Sequence, residues 1–267
     1  MKLDNSKIQF SLNDKKRGIV IPTKITKELA EDIGFHMGDG YMKERTTASS
    51  HNYNFVYAGH STDDRNYFEK VLIPRKKRLF NVNAYYKKYN KNTKKSIELV
   101  FNSKAILMFY RDALNVKESP KINMHIPHFI LDSNPLKRAF LRGLMDSDGC
   151  LTFLKKYRKV PYYPVIRLIT KDKVFFNDLK KILNSFGFTF VAFRSEDFYK
   201  KRNKTYIRYR IDLNGVSNLY KWTEEVGFNN QRHIRKFLKW AEQESNLQSL
   251  PCKGNVMPLS ARPIIVK

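Results

Sequence analysis

Little in this chain could be cross-linked or anchored. It has only two cysteines, Cys150 and Cys252, too few for a disulfide framework or a cysteine-based metal set. No run approaches the roughly 18 consecutive apolar residues that a bilayer-spanning helix needs, and residues 1–11 contain no apolar stretch of signal-peptide kind. A secreted disulfide scaffold and a membrane protein are therefore not expected; a soluble intracellular protein is, in an archaeal cytoplasm or an organelle. Acids are also scarce: 25 Asp and Glu stand against 51 Lys and Arg, a formal net charge of +26. An excess of this size opposes compaction by self-repulsion, and a polyanionic partner accounts for it better than solubility alone. With 42% apolar residues, 267 residues can bury a core as one large domain or as two of about 110.

What the chain does have is a repeat. Residues 32–40 read DIGFHMGDG and residues 141–149 read LRGLMDSDG. Each is an apolar stretch with a small residue every fourth position, closing on Asp-Gly. Gly34 and Gly38 align with Gly143 and Ser147, and Asp39 aligns with Asp148. The order of elements after each copy repeats as well, and internal repetition settles the architecture first. A helix is expected from an N-cap at Thr26 to about Met37, then strands over 41–47 and 52–58. A helix over 63–79 follows, which Pro74 should kink or shorten. A hairpin pairs 83–89 with 96–101, and a helix covers 103–114. The second round reads helix 135–147, strands 151–157 and 163–170, helix 173–186, hairpin 188–198 with 205–213, and helix 216–226. A basic amphipathic helix over 230–244 is extra to the repeat. The organisation is a basic lead-in (1–24), a first half (25–115), a linker (116–134), a second half (135–228), and a C-terminal helix and tail (229–267). The fold class is α+β, a pseudo-twofold duplicated αββαββα with two antiparallel four-stranded sheets.

The Asp-Gly helix ends carry the chemistry. Alone, such an end is a helix that stops at glycine; two at matching places ask for more. A carboxylate at the negative end of a helix is mildly unfavourable. If the small residues let the two helices touch, Asp39 and Asp148 come close enough to repel each other in a partly dry site. A hard divalent ion such as Mg²⁺, taking oxygen ligands, would relieve that conflict and leave positions for phosphate oxygens. Surface lysines would do so less well.

Residues 141–149 resemble the nine-residue motif of the LAGLIDADG homing endonucleases, departing at Arg142 and Ser147. Residues 32–40 are a weaker copy that keeps Gly34, Gly38, Asp39 and Gly40, with Met37 where the motif has an acid. The resemblance spans about 20 to 245. It implies a monomer in which two motif helices pack on a pseudo-twofold axis and two sheets saddle the major groove of a long asymmetric duplex site. Both strands would be cut across the minor groove, leaving 3′ overhangs. It also implies metal ligation by Asp39 and Asp148, aided by the backbone carbonyls of Gly38 and Ser147. Lys171, after the second half's second strand, would orient water or stabilise the leaving group, with His60 and Lys104 as further catalytic candidates.

Basic residues interleave with aromatics on the strands and turns, as a groove-binding β-ribbon requires. In the first half they are Lys43, Arg45, Lys87, Lys88, Lys91, Lys94 and Lys95. In the second they are Lys155, Lys156, Arg158 and Arg167, then Arg194, Lys200, Arg202, Lys204, Arg208 and Arg210. Arg194, Arg208 and Arg210 suit guanine O6 and N7, and hairpin-tip lysines suit phosphates. Neutralising about 8–10 phosphates would make log K fall with log salt at a slope near roughly −7 to −9. The rival to a site-specific endonuclease encoded by a mobile intron is a non-cleaving nucleic-acid-binding protein on the same scaffold, an intron RNA maturase or a DNA-binding regulator; intron RNA would then be a partner. An rRNA-binding protein explains the charge but not the repeated acids. An intein is disfavoured by Met1 and by the terminal Ile265-Val266-Lys267.

Overall fold

Small residues at four-residue spacing let two helices meet at the centre of the molecule. The computed structural model describes residues 2–48, 50–87, 96–156, 159–199 and 203–248. The first motif helix, Lys27–Asp39, begins at Thr26, whose side chain accepts from the Leu29 N–H. The second, Asn134–Ser147, has Pro135 in its opening turn and Asp148 as its C-cap. A Cβ on Gly34 would lie 2.1 Å from the Phe140 carbonyl oxygen, and one on Gly143 1.9 Å from that of Glu31. Both distances fall far inside van der Waals contact, so this crossing tolerates no side chain at either position. Leu29, Ile33, Phe35, Phe140, Leu141 and Leu144 are buried around it.

Each half hangs one sheet on its motif helix. Strands β1 (Gly40–Thr46) and β2 (His51–His60) pair antiparallel, with the short β3 (Tyr85–Tyr86) at the far edge and β4 (Ser96–Val100) between, in the order β1-β2-β4-β3. The second sheet repeats this with β5 (Cys150–Leu154), β6 (Tyr163–Thr170), β7 (Val191–Tyr199) and β8 (Lys204–Asn214), ordered β5-β6-β8-β7. Strand alternation turns Met42, Phe55, Tyr57 and Leu99 of the first sheet, and Leu151, Leu168, Ile211 and Leu213 of the second, into the buried layer beneath the helices. The residues between them form an outer face. The duplicated α+β plan read from the sequence is the observed one.

Three details depart from it. The helix after β2 runs through 65–80 without a break. It comprises Arg65–Tyr67, a π-helical turn Phe68–Leu72, and Ile73–Phe80 with Pro74 in its first turn. The wider turn just before the proline absorbs the expected interruption. The strand expected over 151–157 ends at Leu154, and among the described residues of that expected over 83–89 only Tyr85–Tyr86 is strand. The lead-in is structured: Leu12–Lys16 forms a helix with a Ser11–Asp14 capping box, and Asp14, fully buried, accepts from the Ala105 N–H at 3.2 Å. A five-residue helix is below the length that propensity can signal, so only this long-range contact reveals it. The C-terminal helix, Gln231–Gln248, packs on the second half through Trp240, whose ring stacks on Phe153 at 6.1 Å. Among the described residues no helix is long and apolar enough to cross a membrane.

Candidate metal and nucleic-acid site

The helix crossing carries the acids with it. Asp39 is the last residue of its helix and Asp148 caps the other. A Cβ on Gly38 would fall 2.1 Å from Ser147 Oγ and 3.4 Å from the Asp148 carboxyl carbon, so the helix ends stay in contact up to the acids. Burial, then the charge and hydrogen bonding of Asp148, then the charge of Asp64 push Asp39 up to about 8, with Lys121 opposing. The structure thus brings together the two carboxylates that the repeat singled out.

It also brings two cations that sequence reasoning missed. Lys121, from the connector, donates through Nζ to the carbonyl oxygens of His36 at 2.7 Å, Met37 at 3.1 Å and Gly38 at 2.7 Å. It neutralises the negative end of the first motif helix. Its own burial drives it down to about 8, against the pull of Asp148 and Asp39. Arg232 does the equivalent for the second helix, donating to the Ser147 carbonyl at 3.3 Å and pairing with Asp64 at 3.5 Å. The two cations follow their acids at nearly the same distance along the chain, which is the one signal that could have found them. Lys121 lay in an aperiodic connector and Arg232 on a helix read as external to the repeat. The Gly38 and Ser147 carbonyls, expected to help hold a metal, therefore already accept from protein donors.

The three expected accessory groups make contacts of their own, and the His60 backbone N–H donates to Asp64 Oδ2 at 2.7 Å. His60 closes β2 with Nδ1 2.8 Å from Thr62 Oγ1. Lys104 donates to Gln9 Oε1 at 2.8 Å and lies 5.8 Å from the Tyr53 ring centre. Lys171 lies 5.6 Å from the Tyr206 ring centre. Among the described residues none of the three forms an ion pair with Asp39 or Asp148.

The donor set at the axis suits a hard divalent cation. Two carboxylates stand where their mutual repulsion is relieved by positive charge. Among the described residues no group of three or more His, Cys, Asp and Glu side chains closes on one point. Asp39 and Asp148 would hold such an ion, with its remaining positions left to water and phosphate oxygens.

The outer faces of the sheets carry part of the expected basic set. Register places Lys43 and Arg45 of β1 opposite Asn54 and Asn52 of β2 on the first outer face. Lys87 pairs with Glu98 at 3.5 Å. On the second, Arg167, Arg208 and Arg210 share the outer face with Lys204. Arg194 does not: it stands opposite Tyr209, whose ring packs on Phe176 of the helix layer, and pairs with Glu196. Register therefore sets Arg194 on the face opposite to Arg208 and Arg210, because residues of opposite parity along a strand face opposite ways. Lys155 and Lys156 are exposed beyond β5, Lys156 resting 3.3 Å from the Tyr163 ring centre. Lys88, Lys91, Lys94, Lys95, Arg158, Lys200 and Arg202 lie outside the described residues.

Comparison with known proteins agrees with this geometry. Residues 135–238 match the LAGLIDADG-like domain family. Among solved structures, mesophilic variants of the homing endonuclease I-DmoI superpose with a TM-score of 0.53 at 16% identity, covering 75% of this chain and 90% of theirs. Residues 135–238 thus match a LAGLIDADG-like domain, and the structural likeness shows that the fold of the homing endonuclease extends over most of the chain, first half included. Two curated proteins also match. A replication factor C small subunit of Methanocaldococcus jannaschii is 26% identical over 91% of this chain but only 12% of its own length. A tRNA-splicing ligase RtcB of Methanopyrus kandleri is 26% identical over 75% of this chain and 20% of its own. The chain thus spans between an eighth and a fifth of the curated relatives it matches.

Proposed function

We propose that the protein is a metal-dependent, site-specific DNA endonuclease of the homing type, acting as a monomer on a long asymmetric duplex. One observation carries the reading: two acids remote in sequence meet at the ends of helices that touch backbone to backbone. An acid pair on a buried axis of a +26 chain serves phosphodiester hydrolysis better than it serves folding. The outer faces supply the electrostatic attraction for duplex DNA, and the internal twofold sets one active centre against both strands. A bound divalent ion, Mg²⁺ by its oxygen preference, would polarise the scissile phosphate and lower the pKa of attacking water. Asp39 and Asp148 would hold it; Lys121 and Arg232 keep the helix ends neutral and stand where phosphate charge would arrive. The homing part of the reading is supported by portability. Stretches resembling this chain lie within two proteins whose names describe unrelated activities, as expected of a mobile insert. Cleavage across the minor groove with 3′ overhangs is part of the proposal.

The test is incubation of the full chain and Mg²⁺ with randomised duplex libraries, followed by sequencing of cut ends. Recovery of one long asymmetric site, cut on both strands with 3′ extensions, supports the endonuclease. Sequence-specific binding with no cut in any divalent metal would establish the non-cleaving reading instead.

A further inference from the structure

The two outer faces can be laid over each other, because β1 and β5 both follow an Asp-Gly helix end. Tyr41 then corresponds to Cys150, and the register carries the match across each sheet. The first row of the first sheet is Tyr41, Val56, Val100 and Tyr85. Its equivalent in the second sheet is Cys150, Arg167, Asp212 and Val191. An apolar and aromatic row thus faces a row holding an ion pair. Farther from the acids the contrast reverses. The first half places Lys43 beside Asn54 and Arg45 beside Asn52, whereas the second places Thr152 beside Val165 and Leu154 beside Tyr163.

Asp212 is the unexpected member. A carboxylate on the outer face of a sheet that meets a polyanion is repelled by it, and Asp212 is only 5% exposed. It accepts two hydrogen bonds from Arg167, Nε at 2.8 Å and Nη2 at 3.0 Å. Arg210 Nε lies 3.3 Å from Asp212 Oδ2, the oxygen that accepts from Arg167 Nη2, without hydrogen-bond geometry, and that buried donor has no hydrogen-bond partner among the described residues. The Arg210 guanidinium also rests 4.5 Å from the Phe193 ring centre. Both arginines are therefore held side by side, one by a bidentate clamp and one by a ring. A fixed guanidinium fork loses little freedom when it meets a base edge, and guanine O6 and N7 are the edge that matches it.

Resting on the endonuclease reading, we propose that Asp212 holds Arg167 and Arg210 as a guanine reader next to the cut in the second half-site, with no counterpart in the first. At a strand rise of about 3.3 Å, the Arg167 row begins only about 7 Å along the chain from Asp148. The target then carries its guanine requirement beside the centre on one side, and on the other side its specificity comes from Lys43, Arg45, Asn52 and Asn54 farther out. Asp212 is a positioning residue: it touches no base and sets the arginines that do.

The experiment is selection of bound sequences from randomised duplexes by the full chain in EDTA, where no cleavage competes. Guanine should be enriched next to the centre in one half-site only, and Arg167→Met and Arg210→Met should each flatten that enrichment. Asp212→Asn separates positioning from folding. Discrimination for guanine should fall about tenfold while affinity for random duplex rises, since a negative charge leaves the DNA face. A structural role would lower both together along with the melting temperature, and that result overturns the assignment. So does a selected site with no one-sided guanine, which leaves the endonuclease reading standing. Selection of no duplex at all removes both.

Discussion

The halves share a plan but not a core. Leu141 holds in the second motif helix the place that Asp32 holds in the first, and Phe140 the place of Glu31. Asp32 is fully buried and accepts from Lys76 Nζ at 2.7 Å and from the Tyr110 hydroxyl. Lys76 is also fully buried, caged by Phe55 at 4.6 Å, Tyr110 at 5.0 Å and Tyr57 at 5.1 Å. Burial drives it down to about 8 although Asp32 opposes. Glu31 binds Arg75, takes Arg142 of the opposite helix at 2.9 and 2.8 Å, and accepts from Asn229 at 2.6 Å. The second half fills the corresponding volume with Leu141 and Phe140. Symmetry is thus held where the helices touch and where the acids meet, and lost one layer away. Helix contact and paired acids constrain both copies; burying a helix's other face constrains each copy separately.

The largest expected effect tests the symmetric part. Asp39→Asn and Asp148→Asn should each abolish cleavage, by about 10³-fold or more, because each removes half of the metal's protein ligands. Both should leave duplex affinity in EDTA unchanged or higher. A variant that still cuts one strand at the parental rate, measured by strand-specific labelling, would show that the halves work independently. Next come the contact glycines. Gly34→Ala and Gly143→Ala press a methyl against backbone carbonyls of the partner helix, so each should cost about 3 kcal/mol or more in urea unfolding. Similar costs confirm that the crossing is symmetric; a mild effect at one glycine only would break the comparison.

Lys76 addresses the asymmetric part. Lys76→Met strands Asp32 without its counter-charge in a dry core and should destabilise by about 3–5 kcal/mol. The double variant Asp32→Leu with Lys76→Met makes the first core resemble the second, and should recover most of that loss. If the double variant is as unstable as the single, the ion pair fixes the helix packing and is more than a local solution to burial. Denaturant midpoints of the three proteins decide it.

These layers differ in how far the sequence exposes them. The motif spacing identified Gly34, Gly38, Asp39, Gly143, Ser147 and Asp148 because helix contact imposes a strict period, and the fold followed from the repeated order of elements. Lys121 and Arg232 were hidden, since a lysine in a connector among 51 basic residues has no pattern of its own. Nothing in the local sequence marks Lys76, because only tertiary packing shows that it faces inward. Arg194 was grouped with Arg208 and Arg210 by composition; strand parity, which depends on where β7 begins, separates them. Pro74 signals a break by every local rule and is absorbed by a π turn that local rules do not anticipate.

The smallest predicted effect concerns the acid pair without its metal. The folded chain holds Asp39 at about 8 against an ordinary 3.8, so between those values it keeps a proton that the unfolded chain releases. A raised folded pKa contributes stability that is complete below about pH 4 and lost as pH rises through about 8. Asparagine mimics the protonated acid at every pH. In EDTA, Asp39→Asn and the parent should therefore have matching denaturant midpoints at pH 4. The variant should become the more stable as pH rises to 8, by on the order of a few kcal/mol at most. Adding Mg²⁺ at pH 8 should raise the parent alone, because only its carboxylate gains from the ion. A variant less stable than the parent at pH 8 without metal would mean that the Asp39 charge is used by the fold, and the comparison between a symmetric acid-bearing axis and independently built cores would lose its first term.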